Sequence, residues 1–283
     1  MAAIALALGC SVVWGLSDFL GGLKSRTFPV PVVLAGMYLS SLTVMAIFVV
    51  ARGEGPPATK AIAAALGAGL VGILGLTAFY RALAIGTMSI VAPIAATGVA
   101  LPVLVGIATG DHPGPVRSIG LAAAVAGIVL ASREDDGGAV DLPQQRQSVL
   151  LAVAAGLGFG SYFVLAQIGS HGDVAWALTL SRVSASPFVV AFAVLALRRG
   201  GRRPRGSEIV TLAAIGLLDL CANTAYNYAT TIGELSTVAV GSSLYPVMTV
   251  FMAALVLGER LRGIQRVGVV VALGGVVLIS AGG

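Results

Sequence analysis

The chain has 283 residues, of which 57% are hydrophobic and only 10% charged, with a formal net charge of +5. A soluble domain carries about 25% charged residues to build its polar shell, so a water-soluble globule is excluded. Five of the basic residues fall in one short loop, RRGGRRPRG (198–206), between two oily segments, which marks a membrane-flanking anchor rather than a nucleic-acid footprint.

An apolar run of about 20 residues can cross a bilayer as a helix, and charged or Pro/Gly breaks divide this chain into ten such runs. The first, at 2–22, starts directly after Met1 without a basic n-region and reads as a retained span rather than a cleaved signal. The next four lie at 29–51, 61–81, 87–109 and 117–132, the last being short. The remaining five lie at 148–169, 174–197, 208–230, 235–257 and 263–281. Abundant alanine and the 38 glycines suit close helix packing in lipid. The polar/apolar alternation of a membrane β-barrel is absent. Cys10 and Cys221 both fall inside apolar runs and read as small packing residues, with no metal-ligand or CxxC spacing.

The longest polar break, 133–147, falls at the middle of the chain, and the halves on either side resemble each other. TAFYRALAIGTMSIVA (77–92) matches TAYNYATTIGELSTVA (224–239). GDHPGPVRSIGLAAAVAGIVLAS (110–132) matches GERLRGIQRVGVVVALGGVVLIS (258–280), with Gly120 opposite Gly268 and Gly127 opposite Gly275. Trp14-Gly15 stands opposite Phe159-Gly160 more weakly. Five spans per half is an odd number, so the second half enters the membrane from the opposite side. The expected fold is therefore an all-α integral membrane protein of ten transmembrane helices, built as two inverted five-helix repeats (1–132 and 148–283) joined by a polar linker (133–147). Inverted repeats recur in secondary transporters, with the substrate bound between halves near the midplane.

These residues resemble the EamA-like, ten-helix branch of the drug/metabolite transporter superfamily. The resemblance lies in WG of the first span, YRALAIGTMSIVAPI after the third, and the closing LYPVMTVFMAALVLGERLRGIQRVGVVVALGGVVLIS, with Pro246, Gly258-Glu259, Gly268 and Gly275. The first half departs from the pattern, with Asp111 in the place of Glu259 and Val99 near that of Pro246. The resemblance implies an exporter or exchanger of small polar or amphipathic metabolites that works by alternating access.

Polar side chains at membrane depth point to a site independently. A charge at the bilayer centre costs from about 2.5 kcal/mol upward and persists only where it faces protein or water. In DLCANTAYNY (219–228), Asp219, Asn223, Tyr226 and Asn227 fall on one helical stripe whose amides and phenol both donate and accept hydrogen bonds. The stripe reads as a cavity lining or as interhelical hydrogen bonding that only holds the bundle together. Trp14, Ser17 and Asp18 share a face of the first span, where Asp18 binds a cation, carries a proton, pairs with an arginine or simply ends the helix. Arg182 requires a carboxylate partner, with Asp219 and Asp18 as candidates, and is either a structural ion pair or a contact for an anionic group. Pro187 is expected to kink its helix. Tyr80, Tyr162 and Tyr245 lie in or beside spans three, six and nine, Ser242 and Ser243 stand near Tyr245, and Thr97 lies in span four. Trp14, Ser17, Asp18, Tyr80, Thr97, Tyr162, Arg182, Asp219, Asn223, Tyr226, Asn227 and Tyr245 are the candidate substrate-binding residues. Arg81, Glu234 and Glu259 read as helix-end caps or snorkelling side chains, with Glu259 also placed to join a gate. His112 and His171 read as solvated loop residues.

No GxxxxGK[ST] loop, HExxH, GxSxG or His/Cys cluster is present, so no cofactor, metal or enzymatic activity is expected. Basic residues concentrate after odd-numbered spans (Lys24, Arg26, Arg133, Arg146, the 198–206 cluster, Arg260, Arg262 and Arg266, with Arg81 at the edge), against Arg52, Lys60 and Arg117 after even ones. The positive-inside rule then puts both termini outside, whereas the resemblance implies cytoplasmic termini. The leading expectation is a multi-pass transporter of the cell membrane that exports a small organic metabolite or drug-like compound. It would be surrounded by lipid and coupled to a proton or another ion, with Asp18 or Asp219 as proton carrier. The alternative is a lipid or polyprenyl-carrier flippase with Arg182 at the phosphate. Small-residue spacings at Gly120/Ala124 and Gly268/Ala272 fit a tight contact within one chain or a homodimer.

Overall fold

A computed structural model describes residues 2–101, 114–131, 142–170, 172–232, 238, 242, 244–259 and 263–281. The described residues form helices and no strands. Among the described residues ten α-helices follow one another: α1 (Ala2–Ser25), α2 (Val30–Arg52), α3 (Thr59–Ile85), α4 (Met88–Ala96), α5 (Pro115–Ala131), α6 (Leu142–Ser170), α7 (Val174–Arg198), α8 (Ser207–Ile232), α9 (Tyr245–Leu257) and α10 (Gly263–Ala281). A 3-10 turn, Thr97–Val99, extends α4.

Six of these helices, α1 to α3 and α6 to α8, are long and apolar enough to span a bilayer. The described parts of α4 and α9 are shorter than the spans at 87–109 and 235–257, parts of which lie outside the described residues. Helix α6 begins at Leu142, inside the stretch read as a linker, so 142–147 are helical. The rest of that linker lies outside the described residues, as do Asp111, His112, His171, Glu234 and Ser243. Helix α7 runs unbroken through Pro187.

Short turns reverse the chain between helices. Gly53, at φ 69°, sits in the left-handed region at the end of α2, and its N–H reaches the Val49 carbonyl. Such a φ is strained for any residue with a Cβ. The outer surface is oily, with Val50 80% exposed and Leu74 70% exposed. Lipid-facing positions explain side chains that water would drive inward.

Helix packing is set by close approach more than by apolar burial, because lipid tails solvate leucine as well as a protein core does. Helices α3 and α6 pack along their length, as do α5 and α10. Further pairs are α1 with α8 and α9, α2 with α7 and α8, α3 with α7, α4 with α6, and α4 with α9. Gly127 lies against Ala272, and Gly275 against Gly120 and Ala124. The small-residue spacings of α5 and α10 are thus occupied within one chain.

Contacts among described residues gather at one end of the bundle, where Arg26 reaches Gly86 and Glu259, Gln144 donates to the Ile85 carbonyl, and Arg202 lies over the Phe28 ring. Near it, Phe19, Val33, Leu34, Met37, Phe79, Tyr80, Leu83, Met88, Leu212 and Ile215 are fully buried. With Ile94, they are the largest fully buried side chains among the described residues, and all belong to one packed cluster that plugs this end.

Candidate functional site

Between these helices lies a cavity that encloses about 570 Å³ of space free of protein atoms, its mouth included. Helix α1 contributes Trp14 and Asp18, α6 contributes Tyr162, α7 Arg182, α8 Asp219 and Asn223, and α9 Tyr245. Tyr38, Gly72, Leu76, Phe159 and Phe163 complete the lining.

Helical spacing aligns the polar stripe of α8, and a chain of hydrogen bonds fixes it. Arg182 Nη2 donates to Asp219 Oδ2 at 2.7 Å, with the two side chains 4% and 15% exposed. The guanidinium also stacks over the Tyr38 ring, 4.8 Å from its centroid. Asn223 Nδ2 donates to Asp219 Oδ1 at 3.0 Å and to its backbone oxygen at 2.7 Å. Tyr162 donates its hydroxyl proton to Asn223 Oδ1 at 3.0 Å. One turn further on, Asn227 Nδ2 donates to the Asn223 carbonyl at 2.7 Å, and Ser170 Oγ donates to Asn227 Oδ1 at 2.8 Å. A buried ion pair is sustained only when its remaining donors and acceptors are also occupied. Asp219 meets that condition, with Arg182 on one oxygen and Asn223 on the other, whereas the buried Nε of Arg182 has no partner among the described residues.

Asp18 is different. It is buried, 8% exposed, and it lines the cavity. No hydrogen bond or ion pair to it is formed among the described residues, and it shares the cavity lining with Asp219. Of the two carboxylates considered as partners for Arg182, Asp219 is the one it binds.

The other candidates lie around the cavity rather than in its wall. Ser17 donates to the Ile215 carbonyl at 3.1 Å and so ties α1 to α8. Tyr80 is fully buried in the plug. Thr97 bonds back to the Ile94 carbonyl at 2.7 Å. Tyr226 packs its ring against Trp14 and Phe163, with centroids 5.4 and 5.6 Å apart. Asn227 lines a smaller hollow beside Tyr162 and Ser170.

Sequence reasoning missed Tyr38, Phe159, Phe163, Gly72 and Leu76 as lining residues. Tyr38 carried a legible signal, a phenol near the middle of an apolar run next to Ser40 and Ser41. The two phenylalanines, the glycine and the leucine carried none, since apolar residues look alike whether they face lipid or a cavity.

Polar clasps lie at both ends of the bundle. At the plugged end, Glu259 accepts from the Met88 and Ser89 amides, at 3.2 and 3.0 Å, and from Ser89 Oγ at 3.0 Å. Glu259 therefore caps α4, not the helix it follows, and α4 has no N-cap bond from its own Thr87. Arg26 joins the cluster, with a contact to Glu259 at 3.4 Å and bonds to the Leu83 and Gly86 carbonyls. At the opposite end, Arg52 pairs with Asp173 and Glu54, and Asp173 caps α7 through the Trp176 amide at 2.8 Å. Burial pushes the Asp173 carboxyl up, but the Arg52 guanidinium and the Trp176 amide outweigh it and hold it below the usual value. Glu259→Ala is expected to lower thermal stability in detergent by roughly 1–3 kcal/mol, the scale of a lost helix cap with charge-assisted bonds. Glu259→Gln, which keeps an acceptor, should lose less, and equal melting of Ala, Gln and wild type would discount the clasp.

Long apolar helices around a buried, partly charged cavity define a multi-pass membrane protein. The chain belongs to the EamA-like transporter family, whose sequence model matches residues 1–133 and 146–281. A segment of 129 residues is 33% identical to a probable terminal-alkyne amino-acid exporter of Streptantibioticus cattleyicolor. That match covers 44% of this chain and 42% of the relative, so less than half of the relative's length is spanned. A solved crystal structure 16% identical in sequence superposes with a TM-score of 0.63 over 98% of this chain and 96% of the other, which is a likeness of fold alone. Membership of that family places this chain among membrane transporters.

Proposed function

We propose that this chain is a secondary transporter of the cell membrane that exports a small organic metabolite or drug-like compound by alternating access. The observation that carries the reading is the buried network of Arg182, Asp219, Asn223 and Tyr162 on the wall of a central cavity. Polar groups this deep among lipid-facing helices are expensive, and a solute pathway gives them a use. The exporter name of the S. cattleyicolor relative supports outward movement and an amino-acid-like cargo.

The rocking units in this reading are residues 1–132 and 148–283, related by a two-fold axis in the membrane plane. Helix pairing supports this. Exchanging each helix with the one five places on turns the α1–α8 contact into α6–α3, α1–α9 into α6–α4, and α2–α8 into α7–α3, and all of these occur. The pairs α2–α7, α4–α9 and α5–α10 map onto themselves. Two further pairs, α1–α3 and α4–α10, have no comparable counterpart among the described residues, so the correspondence holds for the main contacts.

The packed plug under the Glu259 clasp then corresponds to a state closed at the end where Arg26, Gly86 and Glu259 meet. Reopening it would part α4 from α9 and break the Glu259 bonds to Ser89. The flippase alternative gains no support from the site, because Arg182 is held by Asp219 and stacked on Tyr38 rather than presented to a phosphate. If a proton drives the cycle, Asp18 is the better carrier, since Asp219 is occupied by Arg182.

Proteoliposome flux of candidate amino acids and amines, with and without a pH gradient, tests the reading. Asp219→Asn and Asn223→Ala are expected to cut flux by at least about tenfold while the protein remains folded, the scale of losing one or two hydrogen bonds to charged groups. Wild-type flux in both variants would remove the α8 stripe from the mechanism.

A further inference from the structure

We infer that the cavity takes the ammonium end of its cargo, with Asp18 as the anionic anchor and the rings of Trp14 and Tyr245 as the wall beside it. The inference rests on the transport reading above and adds the chemical class of the cargo: an organic monocation with an apolar body, for which an accompanying carboxylate is dispensable.

The argument begins with what Asp18 lacks. A carboxylate buried for structural reasons is surrounded by donors, as Asp219 is by Arg182 and Asn223. Asp18 is 8% exposed and has no such donor among the described residues. An unpartnered carboxylate in this medium is costly until a proton or a cation neutralises it. The guanidinium that lines the same cavity already has its counter-charge in Asp219 and is stacked on the Tyr38 ring, although its buried Nε has no partner among the described residues. With Arg182 and Asp219 cancelling each other, the charge left in the cavity is that of Asp18.

The surroundings of Asp18 narrow the kind of cation. Trp14 stands four residues earlier on α1, so both side chains share a helix face, and both line the cavity. Tyr245 meets the Trp14 ring edge-on, with centroids 6.3 Å apart. Phe159 and Leu76 extend the wall. A carboxylate flanked by aromatic rings suits an alkylammonium group, which gains from the rings as well as from the charge. A divalent metal ion would need a cage of six or more oxygens, and this wall is largely ring and aliphatic carbon. An anionic cargo would meet a guanidinium whose charge Asp219 already balances, and would be repelled by Asp18.

Isothermal titration of the purified full chain in detergent tests this with three probes that share one body: phenethylamine, phenylalanine and phenylacetate. Phenethylamine is expected to bind at least as tightly as phenylalanine, and phenylacetate at least tenfold more weakly. Asp18→Asn, nearly isosteric and removing no bond seen within the protein, should weaken phenethylamine binding by tenfold or more. Trp14→Phe should weaken it less. Equal binding of phenylacetate, unaltered binding by a folded Asp18→Asn variant, or failure of both amines to bind would each overturn the inference. The probe series decides the matter without the variants should Asp18→Asn misfold. Flux separates this claim from the one beneath it. Binding of phenethylamine without its transport in liposomes would refute the transport reading and leave the anchor standing. Transport of phenylacetate in preference to phenethylamine would do the reverse.

Discussion

Arg182→Met is expected to destabilise the folded protein by about 3–5 kcal/mol, the order seen when one partner of a buried ion pair is removed. Asp219 would keep its Asn223 bonds but lose its counter-charge, and the Tyr38 ring would lose the guanidinium stacked on it. The double variant Arg182→Met/Asp219→Asn should regain most of that stability, because neither member of the pair is left without its counter-charge. Its flux should stay impaired if the pair also serves transport. Thermal unfolding in detergent, read beside liposome flux, separates the two contributions. A single variant as stable as wild type would mean that water solvates Asp219 well enough to make the pair dispensable.

Gly158→Leu is the second substitution expected to have a large effect. Helices α3 and α6 touch through glycines, and a Cβ built on Gly75 would lie 3.1 Å from the Cα of Gly158. At Gly158 the obstacles are the Gly75 backbone and the Val71 carbonyl, neither of which has a rotamer to change. Overpacking costs about 1–3 kcal/mol where side chains can adjust, and backbone contact puts this site at the upper end. Pushing α3 from α6 would also spread the cavity, since Gly72 and Leu76 line it from one helix and Phe159 and Tyr162 from the other. Gly9→Leu is the control, with nothing within 4 Å of its Cβ position. The Gly158 variant should melt earlier and lose its sharp size-exclusion peak, while the Gly9 variant behaves as wild type. Equal behaviour of the two would show that α3 and α6 tolerate a wider separation.

Much of the architecture was legible before any coordinates. The long span at 174–197 reappears as Val174–Arg198, and the one at 29–51 as Val30–Arg52, because a lipid-spanning helix must be apolar throughout and charged residues mark where it stops. The stripe Asp219–Asn223–Asn227 was also readable, since a polar residue at that depth contrasts with everything around it. Ser17 and Tyr80 show the limit of such reading. Both are polar at depth, yet one bonds to a neighbouring helix's carbonyl and the other is sealed in the plug. The converse limit is Phe159 and Phe163, which line the cavity while looking like any lipid-facing ring.

The sequence by itself determined the membrane class, the places where the chain turns, and which residues could not face acyl chains, because each of these follows from the transfer of individual side chains and local segments out of water. Only the tertiary structure decided that Arg182 takes Asp219, that Asp18 is left without a partner among the described residues, and that Glu259 caps a helix from the other half of the chain. Those choices depend on which helix faces meet across long sequence separations, and residue composition along one helix holds no record of what stands opposite it.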